Sequence, residues 1–296
     1  MKLLSLSNNM FSKEKIKEIV SAVLTADSYS LGAHWVYDEK QLKELDVDWD
    51  KLNAPKALWH KGKKAGDFTH IGDQAYLLRE YLKDKKSFDS TAYLKFWQEK
   101  MSNYDGYIDG ATRETLENIK QGRLIGSNSA DFSVIGRISP LLAVSKDEKE
   151  FVQNVQNFVK LSHNSPKVIE AATFFAKLLF RVQNSKNIEQ EMISLKDDFP
   201  LFIIKGVEDG IKSKKEDTFK AIREFGPACG IDDCFSGVVH LLSKYPDNLK
   251  ELLIQNAKAG GDSSSRVMAA TMIVAANSSS DGIPKEWFKI NKPIKE

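Results

Sequence analysis

Residues 259–276 read Ala-Gly-Gly-Asp-Ser-Ser-Ser-Arg-Val-Met-Ala-Ala-Thr-Met-Ile-Val-Ala-Ala, and this stretch organises the chain. Two glycines let the backbone turn tightly, and Asp262 is a natural N-cap for the run of small and apolar residues that follows. That run predicts a buried helix. The polar side chains of its first turn lie where free N–H groups and the helix dipole favour an anion. The segment therefore predicts either an anion-binding helix start or a tightly capped core helix.

A carboxylate lies on the apolar face of the first predicted helix. Ser12 can cap a helix from Lys13 to about Ser30, and Asp27 follows its apolar stripe at helical spacing. A carboxylate buried there must be hydrogen-bonded, paired or bound to a metal, because an isolated buried charge is too costly. Asp27 is therefore either a functional acid or a cap for a neighbouring backbone group, and the sequence favours neither.

A second acid-bearing helix start lies at residues 66–74, Gly-Asp-Phe-Thr-His-Ile-Gly-Asp-Gln. Thr69 or His70 is at the predicted cap and Asp73 is in the first turn, where the helix dipole favours an acid whatever its role. The preceding residues, 39–66, are typical of a helix fragment followed by a long irregular loop. Loops of that length are often functional.

The rest of the chain also has helical periodicity, with no strand-period run long enough to build a sheet. Further helices are predicted over 88–102, from Ala111, over Phe132–Val144, 147–160, 167–182 and 249–257, and more weakly over 186–195, 201–211 and 215–224. Another is predicted to open at Cys229–Phe235, to run through Leu242 and to stop at Pro246. The predicted fold is all-α, a compact multi-helix bundle with its helices packed orthogonally around one core. Residues 1–12 are predicted to be an N-terminal extension, and residues 13–296 a single domain.

Composition narrows the class of protein. Forty-three Lys and Arg against 41 Asp and Glu give a formal charge of +2, so no nucleic-acid footprint is visible, and the lysine-rich pieces such as Lys61-Gly-Lys-Lys64 are interpreted as solvated loops. The N-terminal apolar run is too short for a signal peptide, and none reaches bilayer length. We therefore expect a soluble, cytoplasmic protein that binds neither nucleic acid nor membrane. Cys229 and Cys234 form no disulfide framework, and a thiol-dependent activity would need a lowered thiol pKa.

Taken in order, the acid-bearing helix ends resemble the ADP-ribosylglycohydrolase family. Ala26-Asp27-Ser28 with Leu31-Gly32-Ala33 approximates its Gly-Asp-Ala-Leu-Gly motif, Gly72–Ala75 its Thr-Asp-Asp-Thr motif, and Gly260–Ser265 its Gly-Gly-Asp-Thr-Asp-Thr motif. The resemblance spans roughly residues 15–290. Residues 31–38, Leu-Gly-Ala-His-Trp-Val-Tyr-Asp, are similar to a divergent branch of the family that includes the jellyfish lens crystallins. The family is all-α, cleaves ADP-ribose from modified side chains and usually holds two magnesium ions.

The resemblance implies a set of site residues. It makes Asp27, Asp73 and Asp262 the catalytic acids, with Asp73 and Asp262 as the metal ligands, and we expect the three carboxylates to converge. The predicted substrate-binding residues are His34, Tyr37, Asp109, Gly261, Ser263, Ser264, Ser265 and Arg266. The implied substrate is a small molecule of ADP-ribose type or an ADP-ribosylated group. The oligomeric state stays open.

The motifs also depart from the family pattern. Gln74 and Ser264 stand where carboxylates are expected, and Val36 or Tyr37 replaces an acid after the first motif. Two magnesium ions would lack the negative charge that lets them lie side by side, so the implied cofactor is one magnesium ion or none. The leading hypothesis is a hydrolase of a glycosidic bond in an ADP-ribose-type substrate, with a depleted metal site. The alternative is a non-catalytic ligand-binding or structural, crystallin-like protein that kept the fold.

Overall fold

The computed structural model describes residues 11–185 and 187–292. Within them, α-helices follow one another, with long connections between α2 and α3 and between α5 and α6, and the only β-pairings are two isolated bridges. The helices are α1 (Lys13–Ser30), α2 (Glu39–Lys43), α3 (His70–Leu82), α4 (Ser90–Ser102), α5 (Gly110–Lys120), α6 (Glu148–Lys160), α7 (Pro166–Ser185), α8 (Ile188–Lys196), α9 (Leu201–Lys212), α10 (Thr218–Phe225), α11 (Ile231–Lys244), α12 (Leu249–Ala259) and α13 (Ser263–Asn277). The all-α prediction is confirmed.

Helix α13 is the centre of the molecule. Every residue from 263 to 276 is buried, and the helix packs against α1, α7, α11 and α12. A 3₁₀ helix, Ser133–Arg137, approaches α13 so closely that a Cβ atom on Gly136 would lie 2.7 Å from Cβ of Met268. The predicted buried helix is therefore confirmed, and its small residues are what let five neighbouring elements approach it.

Side-chain caps fix where the helices near the site begin. The Ser12 hydroxyl accepts from the N–H of Lys15, as the sequence predicted, and the Thr69 hydroxyl accepts from two N–H groups of α3. Asp109 and Asp262 cap α5 and α13 in the same way. Because an N-cap satisfies otherwise unpaired N–H groups, these residues are structural whatever else they do.

The segment Phe132–Val144 is not the α-helix that its apolar periodicity predicted. It forms two buried 3₁₀ helices, Ser133–Arg137 and Ser139–Val144, with Ile138 between them. Pro140 has no N–H for an α-helical hydrogen bond, and Gly136 lowers helix propensity, so the α-helical pattern breaks. The prediction of an α-helix over this segment was therefore wrong.

One hydrophobic cluster extends from Phe11 to Ile290. Residues 1–10 of the predicted N-terminal extension and residue 186 of a predicted helix lie outside the described residues. Three further 3₁₀ helices are Leu58–His60, Ser213–Lys215 and Lys285–Phe288. In the part of the chain that the structure describes, no helix is both long and apolar enough to span a lipid bilayer.

Candidate ligand-binding cleft

A cleft of about 670 Å³ opens beside the first turn of α3. Its walls come from the loop before α3, the turn between α4 and α5, and the C-terminal segment. The lining residues are Trp59, His60, Lys61, Gly62, Lys63, Asp67, Phe68, Asp73, Tyr104, Asp105, Gly106, Tyr107 and Lys292. Of the three predicted catalytic acids, Asp73 lines this cleft.

The carboxylate of Asp73 is surrounded by donors. Its Oδ2 atom accepts from the ammonium of Lys63 at 2.5 Å and from the hydroxyl of Tyr104 at 2.6 Å, and its Oδ1 atom accepts from Lys292 at 2.9 Å. Burial alone would raise the pKa of Asp73, but the two ammonium groups hold it below its ordinary value. Asp73 is therefore an ionised carboxylate neutralised by lysines.

Asp27 is fully buried behind the first turn of α3. Its Oδ1 atom accepts from the hydroxyls of Thr69, at 2.6 Å, and Ser264, while Oδ2 accepts from the backbone N–H of Thr69 at 2.9 Å. A Cβ atom on Gly72 would lie 2.0 Å from Oδ2, so the glycine makes room for the carboxylate. Burial raises the pKa of Asp27. These contacts tie α1, α3 and α13 together and match the structural alternative that the sequence left open.

Asp262 faces its own helix. Its Oδ2 atom accepts from the hydroxyl of Ser265 at 2.7 Å and its Oδ1 atom from the backbone N–H of Ser265 at 3.4 Å. The ligand atoms of Asp262, Asp131 and Cys229 lie within 4.8 Å of one another. Burial, followed by the charge of Asp131, raises the pKa of Asp262 to about 6. Asp262 thus lies with Asp131 and Cys229, and its Oδ1 atom is 3.7 Å from Nδ1 of His34.

The backbone N–H groups in the first turn of α13 are hydrogen-bonded within the chain. The N–H of Ser263 bonds to the carbonyl of Gly261 at 2.8 Å, and the N–H of Ser264 bonds to Nδ1 of His34 at 3.2 Å. The N–H of Ser265 bonds to the capping carboxylate. A diphosphate at this predicted site would therefore have to displace internal hydrogen bonds.

Arg266, the predicted phosphate partner, is also engaged. Its buried guanidinium donates to Oδ1 of Asn256 at 3.0 Å, to the carbonyl of Gly260 at 2.5 Å and to the carbonyl of Pro227 at 3.3 Å. Gly261 has φ +61°, and a Cβ atom there would lie 2.2 Å from the same Pro227 oxygen. Both residues therefore hold the tight turn closed in this conformation.

An aromatic wall runs from the core to the mouth of the cleft. It consists of Trp35, Trp59, His60, His70 and Tyr107. The ring centroid of Tyr107 lies 4.8 Å from that of Trp35 and 5.7 Å from that of Trp59, which is 58% exposed. Trp35 adopts φ +63°, in the left-handed region that non-glycine residues rarely occupy. The wall gives the cleft an apolar stacking surface.

The remaining predicted binding residues have separate positions. Oδ1 of Asp109 accepts from the N–H of Thr112 at 2.6 Å, and its Oδ2 lies 3.3 Å from Nε2 of His70 and 3.6 Å from Nη2 of Arg137. Burial alone would raise the pKa of Asp109, but His70 and Arg137 lower it. Tyr37 is 41% exposed and lies outside the cleft lining.

His34 lies buried against the inner face of the aromatic wall, with its ring stacked on Trp35 at a centroid distance of 4.9 Å. Burial, followed by the neighbouring rings of His60 and His70, keeps the pKa of His34 well below its ordinary value. Burial also lowers the pKa of His60 to about 3. Both imidazoles are therefore neutral near pH 7.

Sequence reasoning missed the lysines and Tyr104. The interpretation of residues 61–64 as a solvated loop was wrong for Lys63, which is bonded to Asp73. The length of the preceding loop was the available signal. No local sequence pattern predicted the contact of Lys292, because it lies 219 residues from Asp73 along the chain.

The thiol alternative loses its basis here. Burial raises the pKa of both Cys229 and Cys234, and the Cys234 thiol donates to the carbonyl of Ala228 at 3.0 Å. A nucleophilic cysteine needs the opposite shift.

The model of the ADP-ribosylglycohydrolase family matches residues 9–292 of this sequence. The chain belongs to the ADP-ribosylglycohydrolase family. Crystallins J1A and J1B of Tripedalia cystophora are each 22% identical to it, over 94% and 93% of this chain and 92% and 91% of their own. A solved ADP-ribosylglycohydrolase-related protein complex superposes with a TM-score of 0.66 at 13% identity, over 92% of this chain and 90% of the other, which supports the fold. The family and the crystallin-like branch predicted from the motifs are both confirmed.

Members of the ADP-ribosylglycohydrolase family usually hold magnesium, but the side-chain oxygens at the corresponding positions of this chain do not fit that ion. Oε1 of Gln74 accepts from Nη1 of Arg137 at 2.8 Å and from the indole of Trp97 at 3.0 Å. The Ser264 hydroxyl donates to the Asp27 carboxylate. Magnesium needs hard oxygens that are free and mostly anionic, and these oxygens already meet buried N–H and O–H donors. The residues present therefore do not fit a two-magnesium centre.

Proposed function

We propose that this chain binds a ligand of ADP-ribose type, free or attached to another group, in the cleft beside α3, and that it does so without magnesium. Membership of a family that acts on ADP-ribosylated substrates supports the ligand class. The cleft volume of about 670 Å³ is within the usual size of small-molecule sites. The similarity to crystallins is consistent with a non-catalytic role in a protein that kept the family fold.

The observation that carries this proposal is the pair of ammonium groups on Asp73. An ammonium has three N–H donors, and the contacts of Lys63 and Lys292 with Asp73 use one donor each. The carboxylate holds both lysines at the cleft wall, and their remaining donors are positioned for the oxygens of a diphosphate. Lys61 adds a third ammonium to the lining. The lysines supply the positive charge that metal ions supply elsewhere in the family.

The aromatic wall suits the other half of such a ligand. Trp59 is 58% exposed, so a large part of its indole is accessible to a flat group. Purine rings stack well on indole and phenol rings, which bury large apolar areas at little conformational cost. A nucleoside would therefore lie against the wall while the diphosphate reaches the lysines.

Metal-free hydrolysis of the glycosidic bond is the second candidate function. The Asp262 carboxyl favours it, because a pKa of about 6 suits general acid–base catalysis near neutral pH. Asp262 is only 1% exposed and already bonds to Ser265, however, while Asp73 is a weak base between two ammonium groups. The contacts therefore favour binding over turnover.

Lysine substitutions test the proposed function. Lys63→Met and Lys292→Met remove one ammonium each while keeping the length of the side chain. Calorimetric titration with ADP-ribose should show each variant binding at least about 10-fold more weakly than wild type, since charged hydrogen bonds contribute about 1.5–3 kcal/mol. Lys64→Met is the matched control, because Lys64 is exposed and outside the lining. Equal affinity in all four proteins would refute the assignment of the lysines.

A further inference from the structure

Three of the five histidines of the chain meet at one point inside the aromatic wall. One ring nitrogen from each of His34, His60 and His70 lies within 4.8 Å of the other two, and all three side chains are buried. They come from the turn after α1, from the 3₁₀ helix before α3 and from the first residue of α3. Separate elements therefore bring three imidazoles together. None of the three is a predicted magnesium ligand or bonds to the lysines that contact Asp73.

Ring nitrogens of His60 and His70 face each other. Nε2 of His70 lies 3.3 Å from the Asp109 carboxylate, which favours the proton on Nε2 and leaves the Nδ1 lone pair bare. Nε2 of His60 lies 3.4 Å from the backbone nitrogen of His70, while Nδ1 of the same ring has no hydrogen-bond partner among the described residues. These two nitrogens, Nδ1 of His70 and Nε2 of His60, are 3.3 Å apart. A contact at this distance is favourable when the two nitrogens share a proton, as a hydrogen bond, or when both bind one metal ion.

The separation matches a tetrahedral metal ion. Two nitrogens that are each about 2.0–2.1 Å from a tetrahedral zinc ion lie about 3.3–3.4 Å apart. Nε2 of His34 is buried and has no hydrogen-bond partner among the described residues, while Nδ1 accepts from the N–H of Ser264. A metal ion on Nε2 would move the ring proton to Nδ1, which would then face Oδ1 of Asp262 at 3.7 Å. An unpartnered buried nitrogen of this kind is costly unless something binds it.

Carboxylates stand behind two of the rings. Asp109 lies against Nε2 of His70, and Oδ1 of Asp262 lies 3.7 Å from Nδ1 of His34. A metal-bound histidine characteristically directs its other nitrogen at a carboxylate, which orients the ring and strengthens the ligand. The indole of Trp35 covers the group, with centroid distances of 4.9 Å to His34 and His70 and 5.2 Å to His60.

We propose that His34, His60 and His70 form a binding site for one divalent transition-metal ion of the zinc class. Imidazole ligands favour zinc, copper or nickel over magnesium, so this site is independent of the family's magnesium motif. An ion would enter from the cleft, which His60 lines. Three protein ligands leave a fourth position for water or a ligand group, as open zinc sites do.

The test uses the full-length protein, freed of metal by dialysis against a chelator that is then removed. Calorimetric titration with Zn²⁺ should show one ion bound per chain. Titration with Co²⁺ should give the visible absorption bands of a tetrahedral nitrogen site, without the near-ultraviolet band of a thiolate ligand. The spectrum reads the ligand set of the wild-type protein, so it decides the question even where a histidine variant does not fold.

Variants then locate the ion. His60→Gln and His70→Gln should weaken Zn²⁺ binding at least about 100-fold, and Asp109→Asn, which keeps the helix cap, should weaken it about 10-fold. His163→Gln, a buried histidine outside the group, should bind Zn²⁺ like wild type. An absence of Zn²⁺ binding, a thiolate band in the Co²⁺ spectrum, or undiminished binding in His60→Gln would each overturn the proposal. A thiolate band would assign the ion to the group formed by Asp131, Cys229 and Asp262 instead.

Discussion

The Oδ2 atom of Asp73 lies 2.5 Å from the ammonium nitrogen of Lys63. In the family motif this aspartate is a metal ligand, and here a lysine from the preceding loop supplies the positive charge. Lys292, from the other end of the chain, bonds to the second oxygen at 2.9 Å. We propose one explanation for the retained aspartate and for Gln74 in place of a second carboxylate, which is that fixed side-chain cations take the place of bound ions.

The substitution Asp73→Asn separates these two roles. If Asp73 only holds and neutralises the lysines, its loss frees their charge for a diphosphate, and ADP-ribose should bind as tightly as in wild type or more tightly. Calorimetry in magnesium-free buffer measures this. A loss of affinity greater than about 10-fold would instead indicate that the carboxylate itself contacts the ligand.

Gly72 is predicted to be indispensable for packing. A Cβ atom there would lie 2.0 Å from Oδ2 of Asp27, so Gly72→Ala should lower the free energy of unfolding by about 1–3 kcal/mol or more. Gly110→Ala is the matched control, because a Cβ atom on Gly110, the first residue of α5, meets no atom within 4 Å. Urea denaturation should find the control as stable as wild type or slightly more stable. Equal stability of the two variants would contradict the described position of Asp27.

Asp27 is predicted to be a structural tie between helices. Asp27→Ala leaves the donors of Thr69 and Ser264 unpaired in the core and should cost on the order of 3–5 kcal/mol. Asp147→Ala removes an exposed N-cap of α6 and should cost only about 1 kcal/mol. If thermal or urea denaturation gave similar losses for both, Asp27 would not be the buried acceptor described here.

His240 makes stability depend on pH. Its ring bonds to the hydroxyls of Ser213 and Thr218, and burial, followed by the charge of Lys244, lowers its pKa from 6.5 to about 4. The unfolded chain therefore binds the proton more readily, so this contribution to stability is complete above about pH 6.5 and is lost as the pH falls toward 4.

The measurement compares wild type with His240→Gln. Between pH 7 and pH 4, wild type should lose more of its free energy of unfolding than the variant does, by roughly 3 kcal/mol. Glutamine keeps hydrogen-bonding capacity but cannot titrate. Parallel pH profiles for the two proteins would show that His240 is not the group responsible.

Local pattern predicted most of the fold and little of the cleft. The cap at Ser12 and the small-residue run after Asp262 are local signals, and both helices formed where those signals indicated. The partners of Asp73 are not local, because Lys292 is 219 residues away and Lys63 is in a loop without periodicity. Only the tertiary fold brings such residues together.

The motifs predicted which acids are internal, but not what each one meets. Asp27 and Asp262 are buried as helix periodicity and capping indicated. Their partners, the hydroxyls of Thr69, Ser264 and Ser265, are common residues whose role depends on orientation. The 3₁₀ geometry around Pro140 was missed because apolar spacing alone does not distinguish a tight helix from an α-helix.

The proposal that ADP-ribose binds without magnesium is tested by calorimetric titration with ADP-ribose, once with a chelator and once with excess Mg²⁺. We expect ADP-ribose to bind with the same dissociation constant, within about twofold, under both conditions, because fixed lysines rather than ions receive the diphosphate. An ADP-ribosylated arginine compound incubated with the protein and Mg²⁺ should release no ADP-ribose above background. Binding that occurs only with Mg²⁺, accompanied by release of ADP-ribose, would contradict the proposed magnesium-independent binding.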